Sequence, residues 1–466
     1  MLNKKNFLIV SSVLFVLFFS QLLVAGFIMN TEEIKNENST LERNGVYTLA
    51  YETSGVEIVF GGDFAYHEIS AWENFNDWWE ENYSIEVHDP GWGFVRDVIV
   101  EDIDGDGEHE TIIANSGSTI HIFEHNGTDL VEAYNMTHPA WSNAQVVTLA
   151  VGDLDNDEDS NLEILAGTFD FNFQSVIFKK VGDSYHPIFN ISSSDSRNVG
   201  GPACCVGDLD NNGDLEFIVT EELPNVDGVS ELRLFDWQTD HWANIRNYSF
   251  AKGAFHNMVR HIQIADVDND GASEVLVVHD QEWVHILEYS GGYFSKSWSC
   301  PLLTENVESA IAGDITNDGL IDIVIPDSAT DVVYIYETVE GSIMNTFNVS
   351  LAHTSTRWNC MDIDDLNADE QNEWVCVYWN ETAFPYMWVS VFKNNTLLLQ
   401  KSTGFLEASA VEIGNYDNDD AGTISTTTPT TSSSGGFSIP MEILAIVIIA
   451  PIALIPIAIV VRRQHR

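Results

Sequence analysis

The chain has 466 residues, with 72 acidic against 19 basic side chains and a formal net charge of −53. A field this negative argues against nucleic acid as a partner, because phosphate binding needs clustered Lys and Arg, and favours cations wherever carboxylates are grouped. The length admits several small domains or one large β-architecture and does not choose between them.

Residues 1–26 carry Lys4 and Lys5, an apolar stretch from Phe7 to Phe19, then the small residues Ala25 and Gly26. That is the layout of a secretory signal peptide, with an uncleaved anchor as the alternative. A polar leader follows over 27–46. From there to residue 422 one acidic run recurs in register. "DIDGDGEHE" starts at Asp102, "DLDNDEDSNLE" at Asp153, "DLDNNGDLE" at Asp208, "DVDNDGASE" at Asp266, "DITNDGLID" at Asp314, "DLNADEQNE" at Asp365 and "NYDNDD" at Asn415.

Each run sits between short apolar segments. "VVTLAVGD", "HIQIAD" and "SAIAGD" enter it, and "ETIIA", "EILAG", "EFIVT", "EVLVV", "DIVIP" and "EWVCV" leave it. A third, more alternating segment comes about ten residues on, as in "TIHIFEHNG" and "WVHILEYSGG", and a weaker fourth precedes the next unit. Such β-branched and aromatic runs between Gly, Asn and Asp turns are strands. Four strands per unit without helices leaves a propeller or a β-solenoid. The unit from Asn415 lacks its exit strand, while "GVEIVFGG" at 55–62 is an orphan exit strand followed by "HEISAWENF" and "NYSIEVH". The reading is therefore an all-β, seven-bladed β-propeller over 47–422, whose last blade is shared by strands from both ends. Such a clasp removes an exposed sheet edge.

In Asp-x-Asp-x-Asp-Gly, hard oxygens at positions 1, 3 and 5, a carbonyl at 7 and an acid at 9 supply the ligand count of Ca²⁺, and Gly at 6 allows the bend. The candidate ligands are Asp102, Asp104, Asp106 and Glu110, then Asp208, Asp210, Asn212 and Glu216, then Asp266, Asp268, Asp270 and Glu274. The set Asp314, Thr316, Asp318 and Asp322 has a weak third position. The set Asp365, Asn367, Asp369 and Glu373 has Glu370 in place of the glycine. Asp153, Asp155, Asp157 and Glu163 belong to a loop two residues longer, which leaves the last ligand open. Asn415, Asp417 and Asp419 have no adjacent ninth-position acid, and Glu57 from the far end of the chain is the candidate supplier. The expectation is about four to seven Ca²⁺ ions. Solvated Asx turns are the alternative. Carboxylates stacked this closely repel, however, unless a cation offsets them.

These residues resemble the FG-GAP/VCBS repeat family, which includes the propeller of integrin α subunits. The resemblance covers roughly 47–422 and rests on the "GDLDNNGDLEFIVT" type of motif. It implies a seven-bladed propeller with Ca²⁺ in the turns between first and second strands, and partners docking on the opposite face. The Phe-Gly and Gly-Ala-Pro signatures survive only as fragments in "IVFGGDF" and "SAIAGD".

Beyond the repeats, 423–438 is a Thr/Ser/Gly linker, 439–461 is an apolar span long enough to cross a bilayer, and 462–466 is a basic tail. Basic residues after the span place that end in the cytoplasm and the bulk outside, at the cell surface. Spacer, span and tail in this order also resemble the C-terminal sorting signals of archaeal surface proteins, in which the span is removed. Nine N-x-S/T sequons, at Asn38, Asn82, Asn126, Asn135, Asn190, Asn247, Asn348, Asn380 and Asn394, suit an exported chain. Five cysteines are too few for a disulfide scaffold, and whether Cys360 and Cys376 bridge stays open.

No nucleophile, zinc or phosphate-loop motif is present. His256, His261 and Arg260 are the nearest to an acid–base group, and packing explains them better. The connections "HDPGWGFVR", "HPAWSN", "TFDFNFQ", "LPNVDG" and "WNETAFPYMW" are long and, apart from "LPNVDG", aromatic, and Arg96, Arg197, Arg260 and Arg357 lie just before expected inner strands. Arginine with aromatics on a rigid scaffold suits an acidic sugar or peptide. The expectation is a calcium-binding surface propeller that recognises an extracellular glycan or protein and is not an enzyme. The alternatives are an extracellular carbohydrate-active enzyme and a structural cell-envelope component.

Overall fold

A computed structural model describes residues 57–414 except 63–67, 76–77, 87–94, 127–129, 142–144, 158, 170–173, 193–198, 224–228, 251–257, 280–282, 301–306, 328, 340–341, 352–359, 367–368, 380–386 and 403–407. The expected signal peptide, linker, span and tail lie outside these residues. Among the described residues no helix is long and apolar enough to cross a membrane.

The chain is an all-β propeller. Six four-stranded antiparallel sheets each take four consecutive strands. Their inner strands are Val95–Glu101, Gln145–Gly152, Val199–Gly207, Val259–Ala265, Ile311–Gly313 and Met361–Asp364. Six blades, rather than seven, are thus contiguous in sequence. One further four-stranded sheet joins the two ends, in the order Ala408–Gly414, Glu57–Gly62, Glu68–Phe75, Trp78–Glu86. Its register runs Glu57↔Gly414 through Gly61↔Ala410, as the split repeat predicts. The closing edge is therefore paired along its length rather than left open.

Each second strand opens on the acid that closes its loop: Glu110–Asn115, Glu163–Phe169, Glu216–Leu223, Glu274–His279, Asp322–Asp327 and Glu373–Trp379. These strands are apolar on both faces because each blade is covered by a neighbour on either side. The full burial of Glu274–His279 and Asp322–Asp327 follows. One inter-blade core joins Ile112 and Ile120 of the first contiguous blade to Val176 and Phe178 of the second. Trp141 fills it, with its ring centroid 5.5 Å from that of Phe178. This tryptophan of "HPAWSN" is thus a core side chain and not a surface aromatic.

Neighbouring inner strands approach closely at the glycine that precedes three of the acidic runs. A Cβ on Gly207 would meet Ile264 at 2.8 Å, and one on Gly313 would meet Ile363 at 2.8 Å. Polar side chains then stitch adjacent inner strands across the ring. Asp97 Oδ2 accepts from Leu149 N at 2.6 Å, Gln263 Oε1 from Ala312 N at 2.7 Å, and Asp362 Oδ2 from Ile413 N at 2.7 Å. All seven inner strands contribute to a central cavity of about 390 Å³, whose charged lining is Asp97, Glu101, Arg260, Asp362 and Glu412.

Arg96 and Arg260 lie within inner strands and not before them. Arg96 Nη2 donates to Gln145 Oε1 at 3.3 Å, while Arg260 faces the cavity. Arg197, Arg357 and His256 lie outside the described residues. His261 is half-buried on an inner strand and lines the cavity beside Arg260, and desolvation holds its pKa down at about 4, so the ring stays neutral. All five cysteines are buried free thiols, so Cys360 and Cys376 do not bridge. Cys376 lies opposite Met361, and Val377 N donates to Cys360 O at 2.8 Å.

Candidate metal centres

The acidic runs form the tight turns between first and second strands, and the described ones share one scaffold. Position 2 is always apolar and buried, as Ile103, Leu154, Leu209, Val267, Ile315 or Leu366. Anchoring that residue between blades fixes its amide, which in five loops donates to the closing acid. Ile103 N reaches Glu110 at 3.0 Å, Leu154 N reaches Glu163 at 2.8 Å, Leu209 N reaches Glu216 at 2.8 Å, Val267 N reaches Glu274 at 2.8 Å and Ile315 N reaches Asp322 at 3.1 Å.

The first aspartate folds the turn. Asp266 accepts from Asp270 N and Gly271 N, both at 3.0 Å, and Asp208 accepts from Asn212 N and Gly213 N, also at 3.0 Å. Asp314 and Asp365 repeat the pattern. The sixth position has positive φ, +95° at Gly213 and +92° at Gly271, which glycine adopts without penalty. Glu370 holds the same position at φ +63° and so carries strain that the glycines avoid.

Position 5 departs from expectation. Asp106, Asp270 and Asp318 are exposed, and each accepts from the position-7 amide as an Asx turn. The groups that converge are positions 1, 3 and 9. Carboxylate oxygens of Asp102, Asp104 and Glu110 lie within 4.8 Å of one another, as do those of Asp208, Asp210 and Glu216, and those of Asp266, Asp268 and Glu274. In the long loop the group is Asp153, Asp155 and Asp157, with Glu163 outside it. The set of Asp314, Asp318 and Asp322 forms no such group, with Thr316 at its third position. Asn367, Asn415, Asp417 and Asp419 lie outside the described residues, as does the side chain of Glu57.

Hydrogen bonding leaves oxygens over in these clusters. Glu216 is 1 % exposed and Glu274 fully buried, and each uses one oxygen on backbone amides while Oε1 has no partner. Asp268 Oδ1 is likewise buried and unpartnered. An unpaired buried carboxylate oxygen is costly. Burial first, then the neighbouring aspartates, push Glu110 and Glu274 up to about 8, and burial with Asp210 and Asp236 pushes Glu216 up to about 7. Groups of this kind fit a hard cation, which would fill the space the oxygens face.

Two features escape a reading of the acidic runs alone. Position 4 is asparagine in Asn211, Asn269 and Asn317, each with φ near +60°, and it clasps the next blade's loop. Asn269 Oδ1 accepts from Ile321 N at 2.7 Å while its Nδ2 donates to Ile321 O at 3.2 Å. Asn317 does the same to Asn372, at 2.6 and 3.1 Å. The recurrence of Asn at that position was the available signal. The second feature is three lysines. Lys179 and Lys393 sit inside the loops from Asp153 and Asp365, and Lys180 pairs across to Asp104 of the neighbouring blade.

An FG-GAP-like repeat family model matches residues 266–325, the blade with the most complete of these loops. That stretch is similar to an FG-GAP-like repeat. No curated protein matches this sequence. Solved structures similar to it include a protein from Lactobacillus plantarum, at 11% identity and TM-score 0.51, covering 77% of this chain and 98% of that one. Another is a candidate 6-phosphogluconolactonase from Bacteroides fragilis, at 11% identity and TM-score 0.52, covering 79% and 99%. At such identity these likenesses show the propeller fold alone.

Proposed function

We propose that this FG-GAP-type propeller is a calcium-stiffened surface protein, which presents a rigid face to an extracellular glycan or protein. The observation that supports the calcium reading is the set of buried, unpartnered oxygens on Asp268, Glu216 and Glu274. Calcium binds oxygen at about 2.3–2.6 Å, so two of its ligands are separated by at most about 5.2 Å. Oxygens within 4.8 Å of one another fit that limit. Several carboxylates per site favour Ca²⁺ over Mg²⁺, which keeps its water and takes fewer. When bound, the ion supplies charge neutralisation at the turn; the chain's own residues supply the rest, by locking position 2 between blades and aiming the closing acid.

Recognition is assigned to the face away from these turns. The aromatic connections expected there are long, and a scaffold of fixed sheets holds loops at low entropic cost for binding. The acidic surface suits an exported, soluble ectodomain held by the C-terminal span. Screening the purified chain on glycan and surface-protein arrays, with calcium and with chelator, tests the reading. Calcium-dependent retention of one ligand class without chemical change is the expected result. Release of a product from that ligand would replace the adhesion reading with an enzymatic one.

A further inference from the structure

The second and third strands of each blade pair in one register, which puts a fixed residue of the third strand opposite the closing acid. Glu110 faces Glu124, Glu274 faces Glu288 and Asp322 faces Glu337. The pairing Phe217↔Phe235 places Glu216 opposite Asp236. In these four blades an acid faces an acid. In the other two it does not. Ile164↔Phe178 places Glu163 opposite Lys179, and Trp374↔Phe392 places Glu373 opposite Lys393. Directly opposed side chains emerge on the same face of a sheet, so these residues meet.

The lysines reach the position a cation would occupy. Lys179 Nζ lies 2.9 Å from Asp155, 2.6 Å from Asp157, 3.5 Å from Asp159 and 2.9 Å from Glu163. Lys393 Nζ lies 2.7 Å from Asp369 and 2.9 Å from Glu373. Burial works against each ammonium, yet these carboxylates hold both pKa values above the ordinary lysine range. Both loops involved also depart from the motif, one by two extra residues and one by Glu370 in place of the sixth-position glycine. Lys180 differs, because it meets Asp104 alone among the described carboxylates and comes from the next blade.

We propose that Lys179 and Lys393 are built-in cations that take the place of calcium in the loops from Asp153 and Asp365. Of the six described loops, those two are closed without metal, and those from Asp102, Asp208, Asp266 and Asp314 are the ones open to an ion. This rests on the calcium reading for the four open loops only. A tethered ammonium with three donors meets several carboxylates at once, two for Lys393 and four for Lys179, and loses side-chain freedom but no translational entropy. Loops so neutralised are no longer constrained to the ion's geometry, which accounts for their drift from the motif.

Bound calcium is counted in the purified full chain at saturating Ca²⁺, and melting temperature is read in chelator. Asp268→Asn is expected to remove one ion, whereas Asp157→Asn and Asp369→Asn leave the count unchanged. A loss of one ion from either of the latter would overturn the proposal. In chelator, Lys179→Gln and Lys393→Gln are each expected to melt about 2–5 °C below the unsubstituted chain; equal melting would also overturn it. If the unsubstituted chain binds no calcium, the calcium reading fails by itself, and the chelator arm still decides on the lysines.

Discussion

Asp362 shows how a single side chain couples ring closure to pH. Its Oδ2 accepts from Ile413 N on the closing strand and its Oδ1 from Ile363 N at 2.8 Å. Burial, opposed by those hydrogen bonds and aided by Asp364, pushes it from 3.8 up to about 7. Glu412, on the adjacent closing strand, is pushed well above its ordinary range by burial and by Asp362. Between pH 4 and 7 the folded Asp362 keeps a proton that the unfolded chain releases. Its contribution is therefore complete below pH 3.8 and is lost as pH rises through about 7. Asp362→Asn cannot titrate, so its melting temperature should vary less with pH over this window. His261, with its depressed pKa, works in the opposite direction, but equally in both proteins. Parallel melting curves for variant and parent from pH 4 to 7 would exclude this role.

At the scale of elements, four acidic turns, those from Asp208, Asp266, Asp314 and Asp365, are linked in sequence by Asn211, Asn269 and Asn317. Asn317 contributes two hydrogen bonds to Asn372 and holds φ +59°. Removing both bonds costs about 1 kcal/mol each, and forcing alanine into the left-handed region adds about 1 kcal/mol more. Asn317→Ala should thus destabilise the propeller by about 3 kcal/mol, read as a lower urea midpoint at unchanged slope. Asn317→Gly avoids the backbone strain and should fall between the two. The strands themselves were legible because their apolar runs alternate with turn residues at a constant interval. The clasp was not, since hydrogen bonding from Asn317 to Asn372 spans 55 residues and depends on how one blade is rotated against the next. Trp141 shows the same limit: its loop reads as a surface connection, and only the packed blades bury it.

For the whole molecule, the proposed calcium would act together with ring closure. The closing sheet pairs Glu57–Gly62 with Ala408–Gly414, so opening the ring requires separating strands about 350 residues apart in the chain, a large loop-entropy term in the unfolded state. An ion at about a hundred times its Kd contributes about 2.7 kcal/mol. Several ions together contribute on the order of 10 kcal/mol, and chelation should lower the melting temperature by on the order of 10 °C. An unchanged melting temperature in chelator, with the metal content verified, would remove the calcium reading. The −53 charge makes the same point from another direction, because a chain so acidic is stabilised by any cation it holds in the folded state alone.

The order of residues by itself determined the repeat, the four-strand unit, the split closing sheet and the acidic turns, because each of these is a local pattern read at a constant interval. Tertiary structure alone decided which carboxylates converge, that the fifth position turns outward at Asp106, Asp270 and Asp318, and that Lys179 and Lys393 reach into two of the acidic loops. Those outcomes depend on cross-strand register and on the contact between blades, which bring together side chains that no spacing along the chain connects.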